Sequence, residues 1–318
     1  MRDFLMNITV IVPTYRRPKD LSRCLEALKK QTRPVDELLV VVRDTDAETW
    51  IFLETFTSET LPLRTVTVSA PGAIAAMNAG LDAASGEIVT FTDDDAAPHT
   101  DWLARIEPHF LSDSRVGGVG GRDWVYHGAE LVDGAKEVVG QVQWFGRVIG
   151  NHHLGVGEAR EVDVLKGVNM SFRRAAIKSK HFDRRMQGTS AQIHHEIEFC
   201  LALKNEGWKL IYDPTIAVNH YTGQRFDEDQ RSKFNPIAMK NIVCNETLAL
   251  LEHLPSTRRM VFLTWAILVG TRGELGFAQW LRFLPSQGTL ATQKLQASLQ
   301  GRRQGWRTWQ ESKFGKNA

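Results

Sequence analysis

The sequence predicts an α/β fold, a Rossmann-like and mostly parallel sheet flanked by helices, followed by a C-terminal helical extension. Three observations carry this. Short β-branched runs alternate with helix-period stretches through the first hundred residues. Polar clusters stand directly after three of those runs. From about Asn235 onward the pattern turns helical.

The elements follow in order. Ile8–Val12 (ITVIV) is a buried strand, and Pro13 to Pro18 a loop. Leu21, Cys24, Leu25 and Leu28 recur at i, i+3, i+4 and i+7, one face of a helix whose first turn suits Pro18. Leu38–Val42 is the second strand, Thr49–Phe56 a weaker helix and Arg64–Val68 a third strand. Ile74, Met77 and Leu81 make a helical stripe that stops near Gly86, and Ile88–Thr92 is the fourth strand. Beyond Pro98 the pattern loosens. Val116–Gly121 is Gly-rich, Glu130–Val156 alternates as a hairpin would, and Glu196–Asn205 reads as a helix ended by Gly207. Leu210–Asp213 and Thr215–His220 read as two short strands. A parallel sheet binds ligands outside the carboxyl ends of its strands. Pro13–Arg17, Arg43–Asp46 and Asp93–Asp95 all fall at such ends.

Composition bounds the class. With 318 residues, 42% apolar and 24% charged, the chain has enough apolar surface for one large domain or two small ones. Net charge is only +2, but it is unevenly placed. Residues 257–318 hold ten Lys and Arg against two Glu, a net +8, and the remainder is −6. Such a tail suits an anionic surface, and no nucleic acid is expected. The three cysteines are widely spaced with no CxxC, which argues against a disulfide framework or a zinc site and for a reducing compartment. The opening MRDFLMNITVIVPTY carries an Asp and lacks a long apolar core, so no signal peptide is expected. The run Met260–Val269 is half of the ~20 apolar residues that a span requires. The expected location is cytoplasmic, peripheral on the inner face of a membrane.

FTDDDAAP (Phe91–Pro98) sets three carboxylates in a row. In an extended chain Asp93 and Asp95 face one side, where they could hold a hard divalent cation; the alternative is a solvated acidic turn. The strand-end position favours the cation. Asp44 could accept the N3–H of uracil or thymine or bond a ribose, unless Asp44 or Asp46 merely caps the next helix. HHEIE is not a zinc-protease motif, because Phe199 stands where HExxH needs its second His.

VIVPTYRRPKDLSRCLEAL, VVVRDTD and PGAIAAMNAGLDAASGEIVTFTDDD together resemble the nucleotide-binding half of a GT-A glycosyltransferase of family 2. Downstream, LKGVNMSFRR resembles that family's acceptor-side loop, HHEIEFCLALKNEGWKL its catalytic acidic segment, and IYDPTIAVNH the strand ending in a metal-proximal His. The match runs in order from Ile8 to His220. The resemblance implies an inverting transferase using a nucleotide-diphosphate sugar, with UDP or dTDP favoured, and Mn²⁺ or Mg²⁺. Pro13, Thr14 and Tyr15 would wall the nucleotide pocket, Arg17 or Arg16 would touch phosphate, and Asp44 would read the base. Asn78, Asp93 and Asp94 would complete the nucleotide-sugar set. Asp95 would be the main metal ligand, with Asp93 and His220. Gly167 and Asn169 would meet a glycan or lipid-linked acceptor. The general base falls on Glu196, where the family usually has Asp, with Glu198 as fallback.

The implied division is a catalytic domain over 1–225, its nucleotide-binding half 1–98 and acceptor-binding half 99–225, then an extension over 226–318. In that extension Phe277, Trp280, Leu281 and Leu284 form a stripe near Arg272 and Arg282, suited to a membrane interface or to packing on the catalytic domain or a second subunit of a homodimer. Two rivals remain: a non-catalytic GT-A-like binder of glycan or nucleotide sugar, and a sugar-1-phosphate nucleotidyltransferase. The second normally has a Gly-rich first loop, whereas PTYRRP has no Gly.

Overall fold

A computed structural model of the chain describes residues 6–58, 60–189, 191–226 and 233–314. The first five residues of the N-terminal stretch and the last four of the basic tail lie outside the described residues. The chain forms two compact units. The first comprises Met1–Gln141, Ile149–Phe182 and Leu203–Gln224; the second comprises Val142–Val148, Asp183–Ala202 and Arg225–Ala318.

The first unit opens as the alternation predicts: β1 (Ile8–Thr14), α1 (Pro18–Lys29), β2 (Glu37–Arg43), α2 (Ala47–Thr55), β3 (Leu63–Val68), α3 (Ala73–Ala83) and β4 (Ile88–Phe91). Then come β5 (Ala96–Pro98), α4 (Trp102–Ser112), β6 (Val116–His127) and β7 (Glu130–Leu131). The short β8 (Gln141–Val142) and β9 (Val148–Ile149) pair with each other and are followed by β10 (Arg160–Val162), β11 (Met170–Arg173) and α5 (Arg174–Ile177). Next in the chain is α6 (His195–Asn205), whose residues up to Ala202 belong to the second unit, and β12 (Lys209–Tyr221) closes the first unit's series.

The main sheet runs β10-β12-β6-β11-β4-β1-β2-β3. The β3-β2-β1-β4 half is wholly parallel, β11 is antiparallel to both neighbours, and β6 and β12 are parallel again. Burial explains the solid apolar runs. Val10, Val12, Leu38 and Val40 pack with Leu21, Leu25 and Leu28 of α1 and Trp102, Leu103 and Ile106 of α4. On the other face a Cβ at Gly80 of α3 would meet the side chains of Ile11 and Val41, so that helix lies close against the sheet. Each fully buried Leu or Val stabilises the fold by about 1.5–3 kcal/mol, an upper bound.

The structure corrects one strand assignment. Leu210–Asp213 and Thr215–His220 belong to a single strand, β12, which is interrupted by a bulge between Asp213 and Ala217. Gly121 admits that bulge, because a Cβ there would collide with the Ile216 carbonyl oxygen. The Gly-rich run is the start of a central strand, β6.

The second unit holds α7 (Pro236–His253), α8 (Ser256–Leu268), α9 (Phe277–Gln287) and α10 (Thr289–Phe314). Asn235 caps α7, its Oδ1 accepting from Ile237 N at 2.8 Å. α10 lies along α7, where Gly301 and Gly305 approach the Lys240 and Cys244 carbonyls. Between them a buried ion network joins Arg302 to Glu246 at 2.5 Å and Glu274 at 2.6 Å.

Candidate functional site

The parallel half of the sheet ends its strands at Thr14, Arg43 and Phe91, so the three polar clusters meet at one edge. The acidic triplet is not extended there. The Ala96 amide donates to the Asp93 carbonyl at 3.1 Å, closing a turn. Convergence by pleat is therefore replaced by convergence by turn, and β12 completes it. Tyr221 N donates to the Asp95 carbonyl at 2.9 Å, and Gly223 N to Asp95 Oδ2 at 2.8 Å. One ligand atom each of Asp93, Asp95 and His220 lies within 4.8 Å of the others.

The triplet's charge is held largely by one cation. Arg17 pairs with Asp94 and donates through Nη1 to Asp95 Oδ2 at 2.9 Å. Asp94 also accepts from Thr14 Oγ1 at 2.7 Å and is fully buried. Burial drives the Asp94 carboxyl up to about 7, against the pull of Arg17. Burial would also raise Asp95, but hydrogen bonding to His220, the charge of Arg17 and the Gly223 amide hold it well below the usual carboxylate range. Burial opposes charge on His220, yet Asp123 and Asp95 push it up to about 9. His220 Nε2 stands 3.3 Å from Asp95 Oδ1. The residues fit a small divalent ion: two carboxylates and an imidazole converge in a mostly buried corner, an O₂N donor set that suits Mn²⁺ or Mg²⁺. A cation on that side of the imidazole would displace its proton.

Several of the expected site residues have partners within the protein. Asp94 accepts from both Thr14 and Arg17, so these three residues of the expected nucleotide-sugar set form one bonded group. Asn78 is 1% exposed and bonds the Phe182 backbone in both directions, at 2.9 and 2.8 Å, which clamps that segment. Asn169 is fully buried, accepting from Trp102 Nε1 at 2.9 Å and donating to the Ile216 carbonyl at 2.9 Å. It therefore supports the β12 bulge. Gly167 is half-buried beside it.

At the carboxyl end of β2 the capping question resolves. Asp46 caps α2, accepting from Thr49 N at 3.2 Å and Thr49 Oγ1 at 2.7 Å. It also accepts from Arg16 N at 2.6 Å, which holds Arg16 at a left-handed φ of 56°. Asp44 is left exposed at the end of β2. Pro13 and Tyr15 are half-buried at the same edge. The Tyr15 ring carries the guanidinium of Arg16 at 5.2 Å and of Arg43 at 5.0 Å. Arg43 was legible only as part of a polar cluster.

Glu196 is the second residue of α6, in the second unit, and is 7% exposed, with His195 Nδ1 at 3.6 Å from its Oε2. The approach to it is strained: Gln192 has φ 45° and His194 φ 79°. Asn245 of α7 braces this segment, accepting from Gln187 N at 2.7 Å and donating to the Gln187 and Ile193 carbonyls at 3.0 and 3.1 Å. No sequence pattern marked Asn245. Glu198 lies 3.1 Å from His253 Nε2, and that pairing sets it apart from Glu196.

The chain is similar to several known proteins. A family model described as glycosyl transferase family 2 matches residues 9–179. Glycosyltransferase AglE of Haloferax volcanii is 32% identical over 108 residues, 33% of this chain and 36% of that protein's length. Glucosyl-dolichyl phosphate glucuronosyltransferase of the same organism is 25% identical over 68% of this chain and 69% of its own. The solved mannosyltransferase PcManGT from Pyrobaculum calidifontis, in complex with GDP-Man and Mn²⁺, superimposes with a TM-score of 0.56 at 17% identity. That likeness covers 94% of this chain and 88% of the other.

Proposed function

The chain belongs to glycosyl transferase family 2, and we propose that it moves a sugar from a nucleotide-diphosphate donor to an acceptor hydroxyl with inversion. The observation that carries this is the Asp93–Asp95–His220 cluster at the carboxyl edge of the parallel sheet, with Asp44 open on the same edge. Asp44 reads the base and Tyr15 walls the pocket, with UDP or dTDP the favoured nucleotide. Arg43 and Arg16 bring positive charge to that edge. Asp93, Asp95 and His220 would hold Mn²⁺ or Mg²⁺, which would offset charge on the diphosphate. The acceptor oxygen attacks the anomeric carbon opposite the donor phosphate. A new C–O bond forms, the C–O bond to phosphate breaks, and the nucleoside diphosphate leaves with the electron pair. Glu196 accepts the acceptor's proton as the bond forms.

The test pairs binding with turnover. UDP or dTDP with Mn²⁺ raises the melting temperature of the full chain, and the matching nucleotide sugars are slowly cleaved to nucleoside diphosphate and free sugar. Binding without any cleavage would favour a non-catalytic glycan or nucleotide-sugar binder. Pyrophosphate release from a sugar 1-phosphate and a nucleoside triphosphate would favour a nucleotidyltransferase.

The acceptor reading is lipid-linked, in line with the relative named for a glucosyl-dolichyl phosphate substrate. The second unit supplies a face for a membrane carrying such a lipid. No helix among the described residues is long and apolar enough to cross a membrane. The expected stripe is divided: Trp280 and Leu284 are partly buried, and Trp280 Nε1 donates to Thr292 Oγ1 at 3.2 Å. Phe277 and Leu281 are exposed, as are Met260 and Leu268 of α8, Val269 after it, and Trp144. Arg258 of α8 donates to the Trp144 carbonyl at 2.9 Å, tying α8 to that segment. Of the two acidic residues in 257–318, Glu274 is enclosed with Arg302, so the exposed charge is strongly positive. The occupant that suits this face is an anionic bilayer. The chain is expected to co-sediment with phosphatidylglycerol-containing vesicles and not with neutral ones. High salt, or the double substitution Phe277→Ser with Leu281→Ser, should release it. Equal recovery with neutral vesicles defeats the idea. A lipid-independent dimer lost in the same variant would assign the face to a second copy.

A further inference from the structure

Asp123 lies in no recognised motif, yet it is 2% exposed in the middle of a Gly-rich, apolar strand. The parallel register pairs Val218 with Asp123 and His220 with Val125. Side chains two residues apart share a face, so Asp123 and His220 are diagonal neighbours on one side of the sheet. The β12 bulge creates this. Gly121 pairs with Asp213 and Arg122 with Ala217, so three extra residues are inserted. An odd insertion reverses which face each later residue takes. Without it, His220 would point to the opposite side from Asp123. Two features stabilise the bulge: the bare Cα of Gly121 and the Asn169 amide bonded to the Ile216 carbonyl at 2.9 Å.

The imidazole consequently spans two carboxylates. Nε2 stands 3.3 Å from Asp95 Oδ1 and Nδ1 stands 3.6 Å from Asp123 Oδ2. The second separation is slightly beyond hydrogen-bond range, and a small rotation of either side chain closes it. Asp123 Oδ1 has no hydrogen-bond partner among the described residues. We propose that Asp123 is a positioning residue that accepts the Nδ1–H of His220 and so turns the lone pair of Nε2 toward a cation shared with Asp93 and Asp95. This rests on the reading that those three side chains hold a divalent ion. A carboxylate behind a ligating imidazole fixes its tautomer and ring angle, and removing such a partner typically weakens metal binding by about 10–100-fold.

Mn²⁺ titrated into the full chain and followed by electron paramagnetic resonance tests this. Asp123→Ala is expected to weaken Mn²⁺ binding by about 10–100-fold, and Asp123→Asn, whose carbonyl oxygen can still accept, to recover part of the loss. Adding Asp123→Ala to His220→Ala should cost nothing further, because the two act as one unit. With Mg²⁺ bound, NMR spectra should show the His220 Nδ1–H proton hydrogen-bonded and slow to exchange in the wild-type chain and in Asp123→Asn, but fast to exchange in Asp123→Ala. Should Asp123→Ala fail to fold, exchange of the Nδ1–H proton in Asp123→Asn still decides, and a proton there as quick to exchange as in free imidazole overturns the positioning role. Wild-type affinity in Asp123→Ala, an additive double loss, or an Nε2–H tautomer overturns the positioning role alone. A wild-type chain that binds no Mn²⁺ overturns the cation reading and this one with it.

Discussion

Glu196→Gln is expected to lower turnover by about 10²–10⁴-fold, the usual contribution of a general base, while donor affinity stays unchanged. The substitution keeps the side chain's size in a site that is 7% exposed, so packing at the start of α6 should survive. What it removes is the ability to take a proton from the acceptor hydroxyl. The effect should fall on kcat and kcat/KM alike, since the lost interaction forms only as the bond forms. Glu198→Gln is the control. Glu198 is held by His253 at 3.1 Å, so its loss should alter stability more than chemistry. Single-turnover transfer measured on both variants separates the cases. Full activity in Glu196→Gln alongside its collapse in Glu198→Gln would move the base to Glu198.

Asp95→Asn is expected to abolish the Mn²⁺-dependent thermal shift given by UDP or dTDP. A ligand at a hundred times its Kd stabilises the native state by about 2.7 kcal/mol, and that increment should vanish. The physical reason is local. Asp95 is 1% exposed and joins three groups: Arg17 at 2.9 Å, the Gly223 amide at 2.8 Å and His220 at 3.3 Å. An asparagine can still accept from Gly223, so the end of β12 keeps its anchor. It lacks the charge a hard cation requires. Calorimetry with Mn²⁺ alone and Mn²⁺ with nucleotide checks this. Undiminished binding in Asp95→Asn would place the cation elsewhere.

Much of this was legible in the order of residues. The strands and helices up to β4 follow from hydrophobic period, because a parallel sheet buried on both faces demands unbroken apolar runs with helical stripes between them. The position of Asp44 and the acidic triplet at strand ends followed from the same alternation. The choice between Asp44 and Asp46 as cap did not, since both stand near the start of α2 and only backbone geometry distinguishes them. Asn78 and Asn169 read as ligand contacts because a polar side chain in a known motif looks available. In the fold each meets a main-chain partner from a distant segment, Phe182 and Ile216.

Local periodicity and composition thus determined the α/β class, the edge at which a ligand would sit and the identity of its acidic residues. Tertiary structure alone decided what those residues touch: Arg17 bridging Asp94 and Asp95, His220 brought round by a bulge, and Asp123 behind it. Period is a property of neighbours along the chain, whereas register, bulges and long-range hydrogen bonds depend on which strands meet and on how many residues each contributes between contacts.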